Sequence, residues 1–131
     1  MIAQRIGFMQ GRLSEMKNDI IQCFPWDNWQ NEFEDANRIE LQLMEWTLDY
    51  DKIFQNPILT SDGQIKINNL KKRFNIKIIS VTGDCFMQMP FWKFNGLKKK
   101  KLETEFIKIL DILKKINIEI IVVPLVDNSS I

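Results

Sequence analysis

The residues of this chain that could do chemistry sit just after apolar runs. Gln10-Gly11-Arg12 follows the first run, Glu45 and Trp46 end the second, Asp84 and Cys85 follow the third, and Asp127-Asn128-Ser129-Ser130 follow the fourth. Glu45 is the sharpest of them. It comes directly after Leu43 and Met44, at the end of a run that reads as a strand buried on both faces. A carboxylate there needs a partner or a ligand, so it reads either as a rim residue paired with Arg or Lys, or as a hydrogen-bonding wall of a polar small-molecule site. Arg12 has the fork that binds phosphate or carboxylate, or an ordinary structural ion pair. Asp84, Asp127 and Asn128 suit sugar hydroxyls or a hard cation, and equally suit turns and caps.

What the chain lacks narrows the chemistry. It contains no histidine, so a Ser/His/Asp or Cys/His arrangement within these 131 residues is excluded. It has no C-x-x-C pair and no Gly-rich phosphate loop. The formal net charge is +1, which gives no global attraction to nucleic acid or to an acidic membrane. The four-lysine run Lys98 to Lys101 reads as a solvated helix surface, with a nucleic-acid patch the lesser reading. Cys23 and Cys85 suggest reduced thiols in a cytoplasmic protein. Residues 1–5 show no charged leader before a sustained apolar stretch. The longest apolar run is far short of the roughly 20 residues a membrane span needs.

The elements that position these residues follow from periodicity. Short apolar runs at residues 6–9, 41–46, 76–82 and 118–123 read as buried strands. Between them lie three helical stretches. Trp29, Phe33 and Ala36 share one face of the first, with Asp27 as its expected N-cap and Gln30 as capping-box partner. Ile67, Leu70 and Phe74 share a face of the second. Leu102, Phe106, Ile109, Leu113 and Ile116 do so in the third. Asn75 and Asn117 are the expected left-handed stops of the last two. Residues 10–24, 48–62 and 83–95 read as long loops, and Trp26, Trp46, Phe86, Phe91 and Trp92 gather at strand ends or in loops. Those rings either stack on a sugar or, by default, pack the core.

Alternating strand and helix gives an α/β fold with a parallel sheet, in which ligands bind beyond the carboxyl ends of the strands. An open doubly wound sheet and a closed eight-fold barrel both fit. Site residues spread over several strand ends, and a first turn without a phosphate fingerprint, favour the barrel. With 131 residues the chain reads as one domain, the N-terminal half of a (β/α)8 barrel, strands one to four with three intervening helices, truncated before strands five to eight.

In order, the segments I-G-F-M-Q-G-R-L-S, F-P-W-D-N-W-Q-N-E-F, L-M-E-W-T-L-D-Y, N-P-I-L-T and V-P-L-V-D-N-S-S resemble the beginning of a sugar phosphate isomerase/epimerase. That family has the xylose-isomerase-like barrel, shared with family-2 apurinic endonucleases. The resemblance implies metal-dependent proton transfer, with Mn or Mg, on a ketose or ketose phosphate in the full-length form. The metal ligands are expected on strands five to eight, so none is assigned here, and no catalytic residue is assigned within this segment, which alone is expected to be inactive. The substrate-binding wall implied for it comprises Gln10, Arg12, Glu45, Trp46, Asp84, Asp127 and Asn128. Acidic residues stand where the endonuclease branch has zinc-binding histidines after strands three and four, which favours a sugar enzyme. Glu40 replaces the Gly expected before the second strand, so the first helix must end differently. The rival reading is a non-catalytic remnant or split half-barrel that binds a ligand or partner. Open sheet edges make self-association the expected behaviour.

Overall fold

The computed structural model describes residues 5–20 and 23–131. The leaderless reading of residues 1–4, and the part of the first loop at residues 21–22, lie outside the described residues. The elements run β1 (Gly7–Met9), α1 (Asn31–Arg38), β2 (Leu43–Thr47), α2 (Ser61–Phe74), β3 (Lys77–Thr82), α3 (Asp84–Gln88), α4 (Gly96–Lys115) and β4 (Ile120–Val122). The four strands form one sheet in the order β1-β2-β3-β4, and every pair is parallel. Strands added strictly in sequence order, with no reversal, are compatible with half of a β/α barrel. The fold has one helix more than the sequence suggests, because residues 83–95 are not a bare loop. They hold the short α3 and a 3-10 turn at Phe91–Lys93. Residues 48–62 likewise hold 3-10 turns at Ile53–Gln55 and Pro57–Leu59.

The core lies between the sheet and its helices. Met44 and Trp46 of β2, and Ile78 and Val81 of β3, turn to the helices and are buried. They meet Phe33 and Ala36 of α1, Ile67 of α2, and Ile109 and Leu113 of α4. The spacing of these positions is what the helical and strand periods require. The register of β2 on β3 slips once: Leu43 pairs with Lys77, but Glu45 pairs with Ser80. One extra residue in β3 is a bulge, which bends the strand and increases its twist.

All three helices that feed a strand end the same way. Glu40, Asn75 and Asn117 adopt the left-handed conformation, with φ of 61°, 53° and 63°. The next residue, Leu41, Ile76 or Ile118, donates its N–H five residues back, to Ala36, Lys71 or Leu113. This is the Schellman closure, which satisfies a helix-end carbonyl and carries an apolar residue into the strand. Glu40 thus occupies the position where Gly is the easier residue, and α1 ends by the same device as the others.

The start of α1 differs from the expectation. Asp27 is not its N-cap: the chain turns at Pro25, whose carbonyl accepts from Asn28 and Trp29, and the helix proper begins at Asn31 without a side-chain cap. Asp27 is instead exposed and paired with Lys17, whose ammonium lowers its carboxyl from the usual range. At α2 the cap is Thr60, which accepts from the Gly63 N–H at 3.2 Å. Gly63 is required there, because a Cβ would lie 2.2 Å from the Pro57 carbonyl oxygen.

Candidate functional site

Side chains alternate across a strand, so residues between the helix-facing positions point to the uncovered side of the sheet. Met9, Glu45, Ser80 and Ile120 are aligned across the four strands, and Thr47, Thr82 and Val122 form the next row toward the strand ends. Glu45 is half-buried, and its carboxylate accepts a hydrogen bond from the Thr82 hydroxyl. This places one half-buried carboxylate and two buried threonine hydroxyls near the carboxyl ends of β2 and β3. Thr47 is already engaged: its hydroxyl donates to the Gln10 carbonyl and its N–H to the Gln10 side-chain oxygen, each at 3.1 Å.

Gln10 is fully buried and ties the end of β1 to the end of β2. The Thr47 N–H fixes which end of the amide is oxygen. Its Nε2 then has no hydrogen-bond partner among the described residues, although it is buried. A buried donor left without an acceptor is uncommon and marks a place where an oxygen would be stabilised.

The other expected wall residues divide. Trp46 faces the helices, is fully buried, and donates its indole N–H to Asn56 at 2.9 Å, so it offers no surface to a solute. Asp84 is buried in the first turn of α3, straight after β3. α3 packs beside the 3-10 turn Asp127–Ser129, which brings the ends of β3 and β4 together. Asp127 and Asn128 are exposed on that turn, and the Trp92 indole N–H holds it through the Ser129 carbonyl at 3.0 Å. Arg12 is exposed in the tight turn beyond β1, where its N–H donates to the Met9 carbonyl.

Several polar residues that shape this end of the sheet are not among the expected ones. Glu32 of α1 is fully buried and accepts from the N–H groups of Gly11 and Leu13 and from the Ser14 hydroxyl, at 2.8 to 3.2 Å. Burial pushes its carboxyl above the usual range, and these donors oppose that shift. Its position was readable: Glu32 falls on the same helical face as Trp29, Phe33 and Ala36. Asp49 accepts from the Phe24 N–H at 2.7 Å and from the Gln88 amide at 2.8 Å, joining the loops after β1, β2 and β3. Asn56 accepts from Trp46 and the Ile58 N–H and donates to the Thr47 carbonyl.

Two clefts of about 380 and 400 Å³ flank the first loop, sharing Lys17, Ile20 and Cys23. The second adds Trp26, Asp49 and Asp51. Neither is lined by Glu45. Both thiols are held protonated, Cys85 chiefly by burial and Cys23 by burial and the nearby Asp49. Neither is an activated nucleophile. Among the described residues no group of three or more His, Cys, Asp or Glu side chains converges on a point where a metal ion could sit. No helix among them is long and apolar enough to cross a membrane. The lysine run is exposed for the most part, with Lys99 and Lys101 near Glu103 and Glu105 and Lys98 over the Phe94 ring. No protein-family model matches the chain, and no curated protein or solved structure matches it.

Proposed function

We propose that this chain is the substrate-facing wall of a sugar phosphate isomerase/epimerase-like barrel, binding a ketose or ketose phosphate at the carboxyl ends of its strands. The observation that carries the reading is Glu45. It is a half-buried carboxylate on the open side of a parallel sheet, beside the Thr82 hydroxyl and aligned with Ser80. A carboxylate next to hydroxyl groups accepts from vicinal sugar hydroxyls and can hold a proton close to a carbonyl. The buried Gln10 amide and the order of motifs along the chain support the same reading.

The divalent metal of such enzymes is not fitted by this wall, because the described residues offer no converging ligand set. No step is assigned to it. The unit alone binds without turning over, and catalysis requires the complementary half of a barrel. The uncovered side of the sheet also favours a second reading, a split half-barrel that binds a ligand or partner without chemistry.

The test is titration of the chain with fructose and with fructose 6-phosphate, followed by amide chemical shifts. Saturable shifts at Glu45, Ser80 and Thr82 are expected, with Glu45→Ala weakening binding at least about tenfold, the worth of one charged hydrogen bond. Absence of saturable shifts with either sugar, or unchanged affinity in the variant, removes the sugar reading. Exchange of solvent deuterium into the sugar by the chain alone would show that it needs no complementary half.

A further inference from the structure

At the end of the sheet away from Glu45, a cleft of about 370 Å³ lies between the last turns of α2 and α4 and the start of β3. Its polar lining is Asn68 and Lys71 of α2, Lys77 of β3, Lys115 of α4, and Asn117 and Glu119 just beyond α4. Lys71 is half-buried, and the other two lysines are exposed. Three ammonium groups thus surround one space that holds a single carboxylate. None of these three lysines and two asparagines makes a side-chain hydrogen bond or ion pair with another described residue. The lysine run of α4 differs, since Lys99 and Lys101 lie near Glu103 and Glu105, and Lys98 covers Phe94. A cation in the last turn of a helix suits the helix dipole, which accounts for Lys71 and Lys115. It does not account for Lys77, which opens a strand, or for the two amides. The cleft is also interior to the fold: β3 is paired on both sides, and α2 and α4 both pack on the sheet.

Like charges gathered round one space repel until an anion joins them. Glu119 offsets one of the three lysines and leaves two positive charges in excess. A phosphate monoester carries about −1.5 to −2 near pH 7, which matches that excess. Ammonium groups hold phosphate as point charges, and asparagine amides donate to its oxygens. The cleft volume falls in the range of small-molecule sites, about 300–1,000 Å³. We infer that this cleft binds the phosphate group of a small molecule, held by Lys71, Lys77 and Lys115 with the Asn68 and Asn117 amides. Strand β3 rises roughly 16 Å between Lys77 and Thr82, so a ligand here is separate from one at Glu45. The inference therefore goes beyond the sugar reading and stands without it.

The experiment is titration of the chain with glycerol 3-phosphate and with inorganic phosphate at constant ionic strength, followed by amide chemical shifts. Saturable shifts are expected at Lys71, Lys77 and Asn117, with Kd below about 1 mM. Tighter binding of glycerol 3-phosphate assigns the cleft to a monoester, and equal binding assigns it to the free anion; either result supports the phosphate site. The double variant Lys71→Gln/Lys77→Gln is expected to weaken binding at least about tenfold while keeping the far-ultraviolet circular dichroism of the parent. Lys115→Gln, a single change at an exposed position, is expected to weaken it too. Lys66→Gln/Lys100→Gln removes the same charge from exposed positions outside the cleft and should leave the affinity within about twofold. Three results overturn the inference: no saturable shift with either probe, shifts confined to Lys98–Lys101, or equal weakening in the two double variants. The last of these would mean attraction to net charge alone.

Discussion

Ile78 and Ile79 are adjacent in one strand and have identical side chains, yet the first is 3% exposed and the second 40%. The pair stands for the two faces of the sheet. On the helix side, Met44, Trp46, Ile78 and Val81 meet helices laid down by the same chain. On the other side, Ile79, Ile120 and Val122 are left exposed by the described residues. Hydrophobicity alone therefore does not say which face is core; the direction of the side chain relative to the helices does.

The largest effect expected from breaking this contrast is at that isoleucine pair. Ile78→Ala should lower the unfolding free energy by about 2–5 kcal/mol, through lost transfer energy and the cavity left behind. Ile79→Ala should change it by less than about 0.5 kcal/mol in the isolated copy, as exposed substitutions do. Urea denaturation of the two variants at a concentration that keeps the chain monomeric measures both, and equal costs would erase the distinction between the faces.

Two carboxylates give the next comparison. Glu32 is fully buried and accepts from three groups of the first loop, and Glu45 is half-buried and accepts from one hydroxyl. Glu32→Ala should cost about 2 kcal/mol, because it leaves the half-buried N–H groups of Gly11 and Leu13 without their acceptor, whereas Glu45→Ala should cost under about 1 kcal/mol. Their pH dependence sharpens the contrast. The folded chain raises the carboxyl of Glu32 above its unfolded value of 4.5, so the native state binds that proton more tightly. The contribution is full below pH 4.5 and declines as pH rises through the higher folded value. Thermal melts from pH 4 to 7 should therefore show a component of stability that falls with pH in the parent and disappears in Glu32→Gln. Parallel pH profiles would refute this role for Glu32.

The smallest effect is expected at a joint that belongs to neither face. Glu40→Gly relieves a side chain in the left-handed region and should stabilise the chain by about 1 kcal/mol, while Asn75→Ala and Asn117→Ala should each destabilise it by a similar amount. A loss of melting temperature in Glu40→Gly would count against the Schellman end of α1.

The parallel α/β fold was legible because both periods were clean: β-branched strands between helices whose apolar residues recur every three or four positions. The left-handed stops at Asn75 and Asn117 were legible from residue type. At Glu40 the same conformation was hidden, since the backbone hydrogen bonds of α1 impose it against preference. The cap at Asp27 misled for the opposite reason. Local chemistry suited a cap, but Pro25 starts the turn earlier and Lys17 claims the carboxylate. Glu45 was found by its apolar neighbours. Its partner Thr82 was not, because pairing across strands depends on a register that one bulge shifts. Trp46 shows the limit most plainly: a residue at a strand end alternates like any other, and one step from Glu45 it turns into the core.

The three Schellman joints also bear on the order in which the chain organises itself. Each closes between residues only five apart in sequence, whereas the β2–β3 ladder joins residues such as Glu45 and Ser80 from different units. Short closures cost little chain entropy, so helix and following strand can be set at their final angle before any sheet exists. The chain is thus a string of pre-bent hooks, each helix already aiming its strand, and assembling the sheet is a matter of laying equal pieces side by side.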